Sequence, residues 1–291
     1  MNNRILAIAG ATLLALTAQG VSAATNLWPF FAFDNGVGRG VWPPKVQADT
    51  IKSLGYDGIH YNYTNPKDMA AKITACKAAG VKIYAVYIYT FLNKPEAYDP
   101  GIKEAITMLK GSDTAIWMTI REGKPGQQDA DAAKLVNDIA SQAAAVGLKV
   151  SLYPHAGFYV DTAEVAVRVA KATKAPNVGV TVNLCHELIA GNGNRMAEVL
   201  KTALPYLTIA SINGAQAIPG KKGSAAWETL ALGDGSYDVL GYLKLLRDSG
   251  YRGPVGHQFY AVKGDDREKL TKAITTWKDY QTKLTQPASA K

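Results

Sequence analysis

The chain has 291 residues, 47% hydrophobic and 19% charged, with 32 Lys+Arg against 24 Asp+Glu for a net charge of +8. That composition excludes disorder, collagen and coiled coil, and two cysteines are too few for a disulfide scaffold. The positive charge contains no run of five like charges and is spread over helical segments, so it reads as a solvated basic surface and not as a nucleic-acid site.

Residues 1–24 open with Met-Asn-Asn-Arg, continue through an apolar stretch from Ile5 to Ala18, and end in Val21-Ser22-Ala23-Ala24. A basic start, a short apolar run and small residues at a cleavage position read as a secretory signal peptide. The run is too short to span a bilayer, and no cysteine follows it to carry a lipid. A periplasmic or secreted protein is expected, with no membrane insertion after cleavage, no nucleic-acid partner and one mature domain, 25–291. Cys76 falls in an expected helix and Cys185 in an expected loop after a strand, and both are expected to stay free thiols.

A local pattern then recurs in which a helical segment ends in Gly and a short apolar strand follows. Leu54-Gly55-Tyr56-Asp57-Gly58-Ile59, Ala79-Gly80-Val81-Lys82-Ile83, Val146-Gly147-Leu148-Lys149-Val150 and Ser249-Gly250-Tyr251-Arg252-Gly253-Pro254 all follow it. Glycine closes a helix because it tolerates left-handed dihedrals. Asn65-Pro66, Asp99-Pro100 and Asp161-Thr162 offer capping side chains at helix starts. Expected strands are 27–33, 58–61, 81–87, 115–120, 149–153, 178–182, 207–212 and 255–260, each followed by a helical segment. Eight such units in a chain of this length predict an α/β fold, a single (β/α)8 TIM barrel. The rival doubly wound sheet wants a Gly-rich fingerprint at its first turn. Asp34-Asn35-Gly36-Val37-Gly38-Arg39-Gly40 lacks the spacing, and Pro43-Pro44 interrupts it.

In such a barrel the chemistry sits at the C-terminal ends of the strands. Strand one runs into Asp34-Asn35, strand two holds His60, strand four runs into Arg121-Glu122, and strand five ends at His155. Strand six ends at Asn183 with His186 three residues on, strand seven at Asn213, and strand eight carries His257-Gln258. All four histidines of the chain fall in or just after expected strands and none on the outer helices, which points to a functional mouth. Alternation places Tyr153 with His155, Thr181 with Asn183, and Gln258 with Tyr260 on common faces. His257 and Gln258 face opposite ways, so if Gln258 lines the barrel, His257 packs under the helices. Strand and loop aromatics such as Trp28, Trp42, Tyr87, Tyr89 and Tyr153 suit a carbohydrate, whose C–H faces stack on rings.

The segments Leu54-Gly55-Tyr56-Asp57-Gly58-Ile59, Leu152-Tyr153-Pro154-His155-Ala156-Gly157, Pro176-Asn177-Val178-Gly179-Val180-Thr181-Val182-Asn183-Leu184-Cys185-His186 and Leu232-Gly233-Asp234-Gly235-Ser236-Tyr237-Asp238 resemble the xylose-isomerase-like barrels of the sugar phosphate isomerase/epimerase group. The resemblance runs over nearly all of 25–291. It implies one divalent metal held by Glu, Asp, His and Glu from strands five to eight, polarising a substrate carbonyl. Here the matching positions fall at or near His155, at Asn183, near Asn213 and at Gln258, and His186 alone is kept. Neutral amides attract a hard dication poorly, so a bound manganese, zinc, cobalt or magnesium ion of the family type is not expected.

These residues allow two chemistries. Glu122, His155 and His186 offer one carboxylate and two imidazoles, a set that suits a divalent metal. Without metal, His155 or His186 serves as general base and Glu122 as acid or orienting group, since imidazole titrates near neutrality. Asp34, His60, Asn183, Asn213, Gln258 and Tyr260 are the expected substrate-binding residues. The resemblance implies an exported isomerase- or epimerase-like enzyme, or a related lyase. It would act on a sugar or keto-sugar by proton transfer next to a carbonyl. The alternative is a non-catalytic carbohydrate-binding barrel that lost the metal site.

Overall fold

The computed structural model describes residues 26–124 and 126–286; the expected signal peptide lies outside them. The strands are β1 (Phe30–Phe33), β2 (Gly58–Asn62), β3 (Lys82–Phe91), β4 (Ala115–Arg121), β5 (Lys149–Leu152), β6 (Val178–Asn183), β7 (Leu207–Ile212), β8 (Gly214–Ala217), β9 (Trp227–Leu230) and β10 (Val255–His257). Strands β1 to β7 pair side by side in chain order, and β10 joins β7 to β1, closing a barrel of eight parallel strands. Closure disposes of the doubly wound alternative, which needs two open edges. Strands β8 and β9 form an antiparallel hairpin inserted after β7.

Helices α1 (Pro44–Leu54), α2 (Pro66–Ala79), α3 (Ile102–Met108), α4 (Asp129–Ala145), α5 (Ala163–Thr173), α6 (Leu184–Ile189), α7 (Met196–Ala203), α8 (Val239–Asp248) and α9 (Asp266–Thr285) follow the strands. Their local causes are those the sequence announces. Asn65 accepts the Asp68 N–H at 2.9 Å and Thr162 accepts the Val165 N–H at 3.3 Å, each satisfying an otherwise orphaned helix donor. Gly55 and Gly80 end α1 and α2 at φ 82° and 64°. Asp99 departs from expectation: its carboxylate accepts the Gly101 N–H, and α3 starts only at Ile102. Among the described residues no helix is long and apolar enough to cross a membrane.

Two separate apolar layers hold the barrel. Outward strand residues pack on helix stripes, as in α4, which buries Ala132, Val136, Ile139, Ala140 and Ala143 on one face. In α9, Trp277 stacks on Phe30 at 4.1 Å and 6° and so seals the β1–β10 closure. Burying each such ring contributes roughly 2–3 kcal/mol. Inside, Phe31, Phe33, Ala85, Tyr87, Trp117, Tyr153 and Ile209 form a second cluster. Its bulk comes from β1, β3 and β4 and from Tyr153 just past β5, while β6 and β10 face it with Gly179, Thr181 and Gly256. A Cβ on Gly256 would sit 2.5 Å from both Phe31 and Phe33, so glycine there is what admits the two rings.

Several strand ends differ from expectation for identifiable reasons. Strand β5 stops at Leu152 because Pro154 has no N–H to donate. Strand β3 runs on to Phe91 because β4 keeps pairing with it as far as Phe91–Arg121. Strand β10 stops at His257; Gln258 N–H makes one more bond to Ile212 O before the chain turns at Phe259–Val262. Cys185 lies in helix α6 and not in a loop, and both cysteines are buried free thiols.

Candidate active site at the barrel mouth

The interior aromatic cluster is the floor of the mouth. Trp117 is in that cluster, and Ala115, Trp117, Thr119 and Arg121 share its face of β4, so Arg121 is delivered to the rim two residues above Thr119. His60 lies against Phe33 and Trp117, with ring centroids 4.9 and 5.0 Å away. Burial pushes its pKa down to about 4, against the opposing pull of Asp34, and the Asp34 N–H points at its Nδ1 from 3.4 Å. His60 is therefore a neutral ring of the floor.

At the ends of β5, β6 and β10 the inward groups are Tyr153, Asn183 and Gln258. The Asn183 amide donates to the Tyr153 hydroxyl, and the hydroxyl donates to Gln258 Oε1 at 3.5 Å. Tyr153, and not His155, supplies the strand-five group at this corner, because Tyr153 is the last residue before Pro154 turns the chain out of the strand. Burial holds its phenol far above the ordinary range, so it stays protonated. Asn213 is buried nearby and donates to Gly214 O at 2.9 Å. The side-chain oxygens of Asn183 and Asn213 and the hydroxyl of Ser211 have no partner among the described residues, and such buried acceptors favour a polar occupant.

His155 and His186 do come together, with ring centroids 4.1 Å apart and planes inclined at 36°. The backbone of Ala156 sets both tautomers. Its carbonyl lies 2.9 Å from His155 Nδ1, which must donate to it, leaving the His155 Nε2 lone pair free. Its N–H donates to His186 Nδ1 at 3.2 Å, so the His186 proton sits on Nε2. Both pKa values are lowered, His155 by burial with a contribution from Arg121, and His186 by burial and its neighbour His155. The result is two neutral imidazoles, one presenting a base and the other a donor. Phe158 stacks on His155 at 4.0 Å, and Tyr153 meets His186 edge-on at 6.0 Å.

Glu122 does not join them. It adopts a left-handed φ of 63°, followed by Gly123 at 84°, so the backbone leaves its extended course just after Arg121. Its carboxylate pairs with Lys94 at 3.8 Å and not with Arg121 or Lys124. Among the described residues no three His, Cys, Asp or Glu side chains converge to hold a metal ion, so Glu122, His155 and His186 do not make the three-ligand site considered above. Tyr260 is also misplaced by strand alternation: the strand ends three residues earlier, and the residue is 65% exposed in the following turn. His257 is fully buried in the outer layer against Phe30 and Phe259, as the inward placing of Gln258 requires.

Beside the mouth lies a cleft of about 500 Å³ lined by Asp34, Arg39, Trp42, Asn62, Tyr63 and Tyr89 among others. Asp34 is 1% exposed and fully engaged: Arg39 forms an ion pair with one oxygen and the Asn62 N–H donates to the other at 3.0 Å. Asp34 thus shapes the cleft by fixing Arg39. A sequence reading picks out Asp34 but passes over Arg39, although it sits five residues on, in the glycine-rich stretch after the first strand. A chain of ring contacts, Tyr89–Tyr87–Tyr153–His186, links this cleft to the imidazole pair.

Comparison with known proteins agrees with this architecture. A family model described as xylose isomerase-like TIM barrel matches residues 48–280. No curated protein sequence matches the chain. Among solved structures, a xylose isomerase domain protein from Planctomyces limnophilus is 18% identical with a TM-score of 0.68, over 89% of this chain and 99% of that one. The 3-keto-D-glucoside 4-epimerase of E. coli is 15% identical with a TM-score of 0.65, over 88% and 99%. A D-allulose 3-epimerase from Methylomonas sp. in complex with D-allulose is 16% identical with a TM-score of 0.68, over 88% and 98%. The divalent metal that this fold family implies does not fit the residues present. Tyr153, Asn183, Asn213 and Gln258 bring no carboxylate to the corner, and an amide nitrogen is not a ligand.

Proposed function

Since the chain belongs to the xylose isomerase-like TIM barrel family, we propose that it is an exported enzyme that moves a proton next to the carbonyl of a sugar or keto-sugar without the family's metal. The observation that carries this reading is the His155–His186 pair, in which Ala156 imposes complementary tautomers on two neutral, touching imidazoles. His155 Nε2 takes the proton from the carbon beside the carbonyl. His186 Nε2–H hydrogen-bonds the carbonyl oxygen and stabilises the negative charge that builds there, as a preorganised donor does best in a dry site. Returning the proton from His155 to the former carbonyl carbon, while the hydroxyl proton of the deprotonated carbon passes to the carbonyl oxygen, isomerises the sugar, whereas epimerisation takes a proton donor on the opposite face of that carbon.

The substrate side of the reading rests on the wall chemistry. The cleft and mouth combine aromatic rings with buried amides, the mixture that binds a polyol, and solved structures of the same fold are described as a keto-glucoside epimerase and an allulose epimerase. Export rests on the amino-terminal sequence, 1–24.

Deuterium exchange tests the mechanism. The protein is incubated with keto-sugars in heavy water and label at the carbon beside the carbonyl is followed by NMR. His155→Ala should lose the exchange by about 100-fold or more, as loss of a general base does, while still binding the sugar. Exchange that survives in His155→Ala removes that residue from the mechanism. A wild-type protein that binds sugar and exchanges nothing is a binding barrel, the reading that the Tyr153-filled corner favours.

A further inference from the structure

Arg121 is a cation at the mouth with no carboxylate partner among the described residues. Its guanidinium carbon lies 4.6 Å from the Phe158 ring centre, 5.0 Å from Tyr89 and 5.5 Å from Phe91. The neighbouring carboxylate, Glu122, is turned away and taken by Lys94. The other arginine of the mouth, Arg39, is spent on Asp34. Among the described residues Arg121 has no ion pair and no side-chain hydrogen bond. Three rings fix its position by their π-faces, which hold the cation without supplying an acceptor. Five N–H donors are left to a ligand.

Its placement joins it to the reacting groups. Phe158 carries Arg121 at 4.6 Å and the His155 imidazole at 4.0 Å, so the guanidinium and the proposed base lie within the sum of those distances of each other. Tyr89, a second wall of the cage, also lines the cleft that runs to Arg39 and Asn62.

We propose that Arg121 is a substrate-binding residue for an anionic group, and that the substrate is a sugar acid whose carboxylate docks on it. This rests on the carbohydrate reading above. The choice of carboxylate follows from geometry: a planar fork pairs with a planar carboxylate through two parallel hydrogen bonds. A single cation walled by rings offers much less to a phosphate dianion, which draws on several donors or backbone N–H groups. The sugar's C–H face then stacks on the exposed Tyr89, and the carbon beside its carbonyl lies at His155.

Calorimetric titration tests this with D-glucuronate and D-galacturonate, each against its neutral hexose, and with a hexose phosphate. At least one hexuronate should bind about tenfold or more tightly than its neutral partner. Arg121→Met should abolish that preference and leave neutral-sugar affinity within about twofold. Arg121→Lys, which keeps the charge and loses the fork, should retain only part of it, and gives the same comparison if the methionine variant does not fold. Equal binding of acid and neutral sugars, or a preference that survives in Arg121→Met, overturns the proposal and leaves the carbohydrate reading standing. Tightest binding of the hexose phosphate overturns the carboxylate assignment. Failure of every sugar, acidic and neutral, to bind overturns the carbohydrate reading itself, and this proposal with it.

Discussion

Replacing His257 by leucine isolates one buried base and makes its energetics measurable. The ring is fully buried between Phe30 and Phe259, and neither nitrogen has a hydrogen-bond partner among the described residues. Burial pushes its pKa down to about 3, whereas an unfolded histidine titrates near 6.5, about the model-peptide value. Between those values the unfolded chain binds more protons than the folded one, so stability is full above the unfolded pKa and falls as the pH drops. The slope is ~1.4 kcal/mol per pH unit, and acidification from neutrality to about pH 5 removes roughly 2 kcal/mol through this residue alone. His60, His155 and His186 act in the same direction. Glu187, raised to about 7 by burial, acts in the opposite one, so only the difference between wild type and variant isolates His257. Urea denaturation at neutral and mildly acidic pH measures it. His257→Leu should lose roughly 2 kcal/mol less than wild type over that range, and at neutral pH it should be no less stable by more than ~1 kcal/mol, because two unpartnered nitrogens leave the core as ring contacts are lost. Identical pH slopes in the two proteins refute the argument that His257 is held neutral by burial.

Two further outcomes test the barrel interior. Gly256→Ala should lower stability by about 1–3 kcal/mol in the same urea assay, because the added methyl meets the rings of Phe31 and Phe33 at 2.5 Å and both rings are buried; an unchanged midpoint shows that the aromatic floor yields. The combined variant Tyr153→Glu, Asn183→Asp and Gln258→Glu should bind manganese at least about tenfold more tightly than wild type in a calorimetric titration. Unchanged affinity means that these three groups do not occupy the family's metal corner.

Much of the architecture is legible without coordinates because it is written in short-range chemistry. Helix-ending glycines at 55 and 80 and the capping side chains at Asn65 and Thr162 depend only on neighbours a few residues away, and they mark the βα units where the structure has them. Strand alternation likewise sets His257 and Gln258 on opposite faces, and the resemblance picks Gln258 as the inward one, as the structure has it. It fails for Tyr260, since alternation holds only while a strand lasts and the residue at which pairing stops is set by partner strands; for the same reason the resemblance puts the strand-five position at or near His155 where Tyr153 fills the corner. Pro154 is a visible warning of such a stop; the turn after His257 is not.

What the sequence by itself determined is the barrel and the concentration of histidines and amides at one end of it, because periodicity and local backbone preference act along the chain. Which of those side chains meet was decided only by closure of the barrel, which brings residues from strands far apart in sequence onto one rim. Closure unites His155 with His186 and ties both to Ala156. A local backbone turn, with Glu122 at a φ of 63°, sends that carboxylate to Lys94 and leaves Arg121 among three rings with no ion pair among the described residues. Neither could be read from spacing, since the contacts of Arg121 come from β3 and from the loop after β5, and a guanidinium finds its partners by three-dimensional proximity and not by its place in a motif.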